Sequence, residues 1–105
     1  MLKLDEYVSR LRATMTTDHL RGKVVLMEIP GEGFIRIDGT EVLTEAGEND
    51  CHLTASHEVF DKIFHGRIDP AIAFGTGDLR MDGDMSAALL LGPVFEQARG
   101  EKEQG

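Results

Sequence analysis

Asp50-Cys51-His52-Leu53-Thr54, Gly66-Arg67-Ile68-Asp69-Pro70-Ala71-Ile72-Ala73-Phe74-Gly75 and Asp78-Leu79-Arg80-Met81-Asp82-Gly83-Asp84-Met85-Ser86-Ala87-Ala88-Leu89 decide how this chain folds. Cys51 to Ala55 reads as a short strand, after which Ser56 is placed to cap a helix. Val59, Phe60, Ile63 and Phe64 form one apolar stripe along that helix, and Gly66 is placed to end it. Asp69-Pro70 is a second start signal, an N-cap followed by proline at the first helical position, and it introduces a short helix bearing Ile72 and Phe74. Leu79 to Asp82 is a further strand. Asp84 then caps a last helix carrying Met85, Ala88, Leu89 and Leu91, which Pro93 is expected to kink or end before a polar tail over residues 99–105.

Upstream, Leu4, Val8, Leu11 and Met15 recur at helical spacing and predict an amphipathic helix over residues 4–15. Lys23 to Ile29 is a strand, Pro30-Gly31-Glu32-Gly33 a turn, and Phe34 to Asp38 an antiparallel partner, continued by Glu41 to Glu45 as a meander. Gly47-Glu48-Asn49-Asp50 turns the chain into the strand at Cys51. The expected fold is therefore α+β, one domain over residues 1–105, with five strands and covering helices.

A chain of 105 residues can build one core. Eleven basic against nineteen acidic residues give a net charge of -8, the wrong sign for a phosphate backbone, so nucleic acid is excluded as an expected partner. The longest apolar run, Ala87 to Leu91, is too short for an integral membrane segment. Cys51 is the single cysteine and has no internal disulfide partner, which together with the lack of a leader-like start fits a cytoplasmic protein.

Groups able to do chemistry are sparse. Gly75-Thr76-Gly77 lacks the third glycine and the following helix of a dinucleotide loop. Asp82-Gly83-Asp84 is accounted for by a strand end, a turn and an N-cap, without acid and base work. Cys51 and His52 point to opposite faces of a strand, so they make no nucleophile and base pair, and a buried structural thiol is expected. His57, Asp61 and His65 are spaced by four along one helix and could converge on a metal, but they equally supply the polar side opposite the Val59, Phe60, Ile63 and Phe64 stripe. No catalytic residue, metal or cofactor is expected on these grounds. The apolar inventory that remains includes five methionines and no tryptophan, and methionine adapts to irregular shapes.

The order of these pieces, from about Gly22 to Val94, resembles the sterol carrier protein 2 domain family. Its Asp-Cys/Ala-x-Ile/Leu-Thr strand matches Asp50 to Thr54, and its glycine-basic pair before Asn/Asp-Pro matches Gly66-Arg67 and Asp69-Pro70. Its Ala-Phe, glycine and Leu-x-Ile/Met strand match Ala73-Phe74, Gly77 and Leu79-Arg80-Met81, and Gly83-Asp84-Met85 leads into Ala88-Leu89 as in the family. The chain departs from it at Asp78, where a lysine is common, and in a tail without a peroxisomal address. The resemblance implies a small stand-alone member: a mostly antiparallel five-stranded sheet covered by helices, with an apolar tunnel between them. It implies non-enzymatic binding, and transfer, of a lipid or other hydrophobic small molecule, whether fatty acyl, sterol-like or isoprenoid. On that basis Phe60, Ile63, Phe64, Ile72, Phe74, Leu79, Met81, Met85 and Leu89 are expected to contact the ligand. Two further readings stand beside it: a protein-interaction or accessory module with the same fold and a filled core, and a metal-dependent enzyme using His57, Asp61 and His65.

Overall fold

The computed structural model describes residues 1–99. Ten elements follow in order: α1 (Leu4–Thr14), β1 (Val24–Ile29), β2 (Gly33–Asp38), β3 (Glu41–Leu43), β4 (Cys51–Ala55), α2 (His57–Phe64), α3 (Pro70–Gly75), β5 (Leu79–Gly83), α4 (Met85–Leu89) and α5 (Leu91–Arg99). The strands form one sheet in the order β3-β2-β1-β4-β5. Three pairings are antiparallel, and β1 with β4 is parallel, so the sheet is mixed while remaining mostly antiparallel.

Period-two alternation decides which side the helices cover. Val25, Met27 and Ile29 on β1, Ile35 and Ile37 on β2, and Cys51, Leu53 and Ala55 on β4 are all buried on one face. The other face carries Arg36, His52 and Thr54, and there His52 Nε2 meets Glu28 Oε1 at 3.0 Å. Cys51 is thus a buried thiol, its pKa raised first by loss of water. It lies across the sheet from the His52 side chain.

Asp50 fixes where the parallel pair starts. Its Oδ2 accepts from Val24 N at 2.7 Å, its own N–H donates to the Val24 carbonyl at 2.8 Å, and its carbonyl accepts from Asp84 N at 2.7 Å. The beginnings of β1 and β4 and the end of β5 are tied at one residue. Gly83 has φ +105°, and a Cβ there would press into the Asp50 carbonyl oxygen, so this glycine is required by a close approach as well as by a turn.

The helix signals map closely. Ser56 Oγ accepts from Val59 N at 3.2 Å, and Gly66 adopts φ +72° just beyond α2. α1 ends at Thr14 with Met15 as its C-cap, one residue short of the expected boundary. The last helix differs from expectation. The chain breaks at Leu90 and resumes as α5, and Pro93 sits in the first turn of α5, where its missing N–H would have had no intrahelical partner. Pro93 therefore helps to begin a helix, where the sequence led us to expect it to end one. Arg99 is the last residue of α5, so the polar tail expected from residue 99 begins inside a helix, and its remainder lies outside the described residues.

Candidate functional site

α3 and α4 are short helices that roof the β4–β5 side of the sheet. Asp69 Oδ1 accepts from Ala71 N at 2.8 Å with Pro70 following it, and Asp84 Oδ1 accepts from Ser86 N at 2.9 Å. Lys23 Nζ lies 2.6 Å from Asp84 Oδ2, and this hydrogen bond, followed by those from Ser86, holds the Asp84 carboxyl down at about 2. Both aspartates are occupied as helix starts.

With only six and five residues, α3 and α4 cannot turn every apolar side chain inward. Ala73, Ala87 and Ala88 face the core, whereas Phe74 and Met85 stay exposed and Ile72 and Leu89 are 60% and 76% accessible. Between the two helices lies an apolar groove of about 570 Å³, walled by Pro70, Phe74, Met81, Met85, Ala88 and Leu89. Beneath it an inner cavity of about 30 Å³ is walled by Met27, Leu53, Phe60, Ile63, Leu79, Leu91 and Phe95 among others. Pro70, Met81 and Ala88 belong to both walls, so the two spaces adjoin through them.

The volumes separate two functions. The inner cavity offers about one water's share of space, while the groove falls within the roughly 300 to 1,000 Å³ that small-molecule sites occupy. A molecule seated in the groove would reach the interior only if Met81 or its neighbours moved. Methionine at the junction suits this, being unbranched and tolerant of several rotamers. The inner walls are almost wholly carbon, and the groove is mostly so, with Asp69 and Ser86 at its margin. Glu28 borders the inner cavity but sends its carboxylate to the opposite sheet face, where it bonds His52.

Seven of the nine residues expected at the ligand line these spaces: Phe60, Ile63 and Leu79 wall the inner cavity, Phe74, Met85 and Leu89 wall the groove, and Met81 belongs to both. Phe64 lines neither space. It is fully buried in an aromatic cluster, with ring centroids 5.1 Å from Tyr7 and 5.5 Å from Phe95. Ile72 also stands outside both walls, projecting from α3. Sequence reasoning overlooked Leu53, Leu91, Phe95 and Pro70. A strand residue and helix residues far apart in sequence meet here, and only the strand order brings them together.

His57, Asp61 and His65 do not form a solvated face. Asp61 is only 7% accessible and accepts a hydrogen bond from the Tyr7 hydroxyl, and His65 Nδ1 lies 3.4 Å from Asp61 Oδ1. Tyr7 is itself buried, and its pKa is raised first by that burial and then by Asp61. α2 packs against β4 and α5 and meets Tyr7 of α1 along the Asp61 row, which leaves Glu58 and Lys62, 3.8 Å apart, as its outward pair. Tyr7 was left out of the α1 stripe of Leu4, Val8, Leu11 and Met15, although its place three residues beyond Leu4 puts it on the same helix face, and its partner Asp61 carried no local signal. Among the described residues no three His, Cys, Asp or Glu side chains are grouped to hold a metal ion.

A mixed sheet roofed by short helices over an apolar cleft defines the class of α+β domains with an apolar space between sheet and helices. The chain belongs to the SCP-2 sterol transfer family, whose model matches residues 8–96. It is similar in fold to sterol carrier protein 2 of Aedes aegypti in complex with palmitate, at 17% identity and TM-score 0.69, covering 90% of this chain and 96% of that one. The sterol carrier protein domain 2 of Helicoverpa armigera matches at 22% identity and TM-score 0.67, over 88% and 84% of the two chains. The SCP2 domain of the ubiquinone synthesis protein UbiJ matches at 23% identity and TM-score 0.62, over 83% and 78%. No curated protein sequence matches significantly. Among the described residues, no helix is long and apolar enough to cross a membrane.

Proposed function

We propose that this protein binds the hydrophobic chain of a lipid, fatty acyl, sterol-like or isoprenoid, without catalysing a reaction on it, and passes it between sites. The observation that carries this reading is the adjoining pair of apolar spaces sharing Pro70, Met81 and Ala88. The palmitate complex of the Aedes aegypti protein supports it by likeness of fold. Burial of a chain contributes about 0.8 kcal/mol per methylene before ordering costs, so a mostly apolar groove can give useful affinity by apolar contact alone. The ligand contacts proposed are Phe60, Ile63, Leu79 and Met81 within, and Phe74, Met85 and Leu89 along the groove.

Fluorescence titration with cis-parinaric acid, followed by displacement with palmitate, tests the reading. Saturable binding that weakens in Met81→Asp is the expected result. A filled-core interaction module is the second reading, and the narrowness of the inner cavity favours it. Protein that binds neither probe, and carries no lipid in native mass spectra, would decide for that module.

A further inference from the structure

We infer that His57 is held as the doubly protonated imidazolium and acts as a proton-dependent latch, tying the N-terminal segment that leads into α1, and the β1–β2 turn, to the start of α2. The ring stands between two acceptors. Its Nδ1 lies 2.7 Å from Glu32 Oε1 and its Nε2 lies 2.7 Å from the Leu2 carbonyl oxygen. Neither a carboxylate oxygen nor a carbonyl can donate, and a neutral imidazole has one donor and one acceptor nitrogen. A neutral ring would therefore set a lone pair against an oxygen at one of these contacts. Only the imidazolium donates to both. The side chain is 16% accessible, so water has little room to replace the contact that fails.

Several groups face the ring. Glu32 comes from the β1–β2 turn, the Leu2 carbonyl from the N-terminal segment, and the Tyr7 ring from α1 with its centroid 5.7 Å away. Asp61 follows one turn along α2, and Glu6 on α1 lies close enough to act on Tyr7. The carboxylates favour the charged ring. His57 is also the first residue of α2 after its Ser56 cap, and the positive end of a helix dipole disfavours a cation there.

Loss of the proton has a defined mechanical result. The remaining N–H stays with the Glu32 carboxylate, the stronger acceptor, so the contact to the Leu2 carbonyl is lost and the segment leading into α1 is left with the Tyr7–Asp61 bond as its tie to α2. Tyr7 of α1 packs against Phe60 with ring centroids 4.9 Å apart, and Phe60 walls the inner cavity. Releasing the latch removes a brace from behind that wall. In this last step the inference rests on the lipid reading, because it makes deprotonation ease entry into the interior.

The test follows the His57 imidazole nitrogens by NMR together with exchange of the Glu6 and Tyr7 amides, which donate to the Lys3 carbonyl. Both ring nitrogens should be protonated on the acid side. Exchange of the two amides, corrected for intrinsic base catalysis, should rise roughly tenfold or more as His57 loses its proton, the scale of losing one charge-assisted hydrogen bond. His57→Gln should show fast exchange at every pH. A bare ring nitrogen throughout, or protection unchanged across the His57 titration, overturns the latch. The association rate of cis-parinaric acid should rise over the same pH step, and a constant rate with the amides released overturns the gating. Failure of cis-parinaric acid to bind at any pH counts against the lipid reading alone, since the latch is judged by exchange.

Discussion

The two ends of the helical layer are built on opposite plans. Where α1, α2 and α5 meet, Tyr7, Phe60, Phe64 and Phe95 pack edge to face or tilted, with centroid separations from 4.9 to 6.3 Å, and every one of them is buried. Where α3 and α4 roof the sheet, small alanines face inward and the large apolar groups Ile72, Phe74, Met85 and Leu89 face out. The first end uses its aromatic area for cohesion. The second end leaves apolar area accessible and is held in place by its caps. Stability and ligand capacity are thereby assigned to different residues, so a substitution should affect mainly one or the other.

The strongest way to break the comparison is Phe64→Ala. Deleting a buried aromatic ring should cost about 3 to 5 kcal/mol, read as a lowered urea midpoint with the slope unchanged. An effect below that of a surface substitution would mean the aromatic end is not the stable one.

Next comes the polar seam within that end. Tyr7 is the only tyrosine and tryptophan is absent, so tyrosinate absorbance reports on this one ring. Its pKa is raised above the ordinary 10.0, which means that its contribution to stability is whole below pH 10 and is lost as pH climbs through the folded value. Tyrosinate should therefore appear together with loss of helical circular dichroism, and ionisation at pH 10 in a folded protein would contradict the buried Tyr7–Asp61 contact. Tyr7→Phe leaves the Asp61 carboxylate without its hydroxyl donor and should cost about 1 to 3 kcal/mol.

Phe74→Ala sharpens the contrast from the other end. The ring is exposed, so its loss should change stability by less than about 1 kcal/mol while weakening cis-parinaric acid binding several-fold. A stability loss matching that of Phe64→Ala would erase the distinction between the two regions.

The smallest effect concerns the cap of α4. Because the Asp84 carboxyl is held down at about 2, its contribution is complete above the ordinary 3.8 and is lost as pH falls towards 2. The melting temperatures of the parent protein and Asp84→Asn should differ near neutrality and converge in that acid window. A difference that persisted below it would place the role of Asp84 outside its charge.

Much of this was legible in the sequence because it is local chemistry. The Cys51–Ala55 strand has the bounds its alternation predicts, and Ser56, Asp69 and Asp84 cap the helices they precede. The fold class followed once those pieces were taken in order. What stayed hidden depends on elements distant in sequence. The inward row of His57 and Asp61 could not be told from a solvated face, since Tyr7, the Leu2 carbonyl and Glu32, all distant in sequence, are what cover it. Phe64 has the same helical phase as Phe60, yet Phe60 reaches the cavity and Phe64 meets Tyr7 and Phe95 instead. Pro93 reads as a stop or a start depending on Leu90, where no breaker residue marks the boundary.

The triple tie at Asp50 has a consequence for the order in which the molecule assembles. The β1–β2–β3 meander is local, whereas the Val24–Asp50 contact spans 26 positions and closes only after the meander and the following loop are in place. Loop closure makes such pairing late, and Asp84 can dock on the Asp50 carbonyl only after that. The roof helices would then belong to the last stage of folding, and their mutations should speed unfolding while leaving the folding rate nearly untouched. In stopped-flow kinetics, Asp69→Ala should steepen nothing on the refolding limb and raise the unfolding limb, whereas Ile35→Val in the meander should slow refolding; the reverse pattern would put the roof in the nucleus. A protein assembled in that sequence finishes its scaffold before it finishes its mouth.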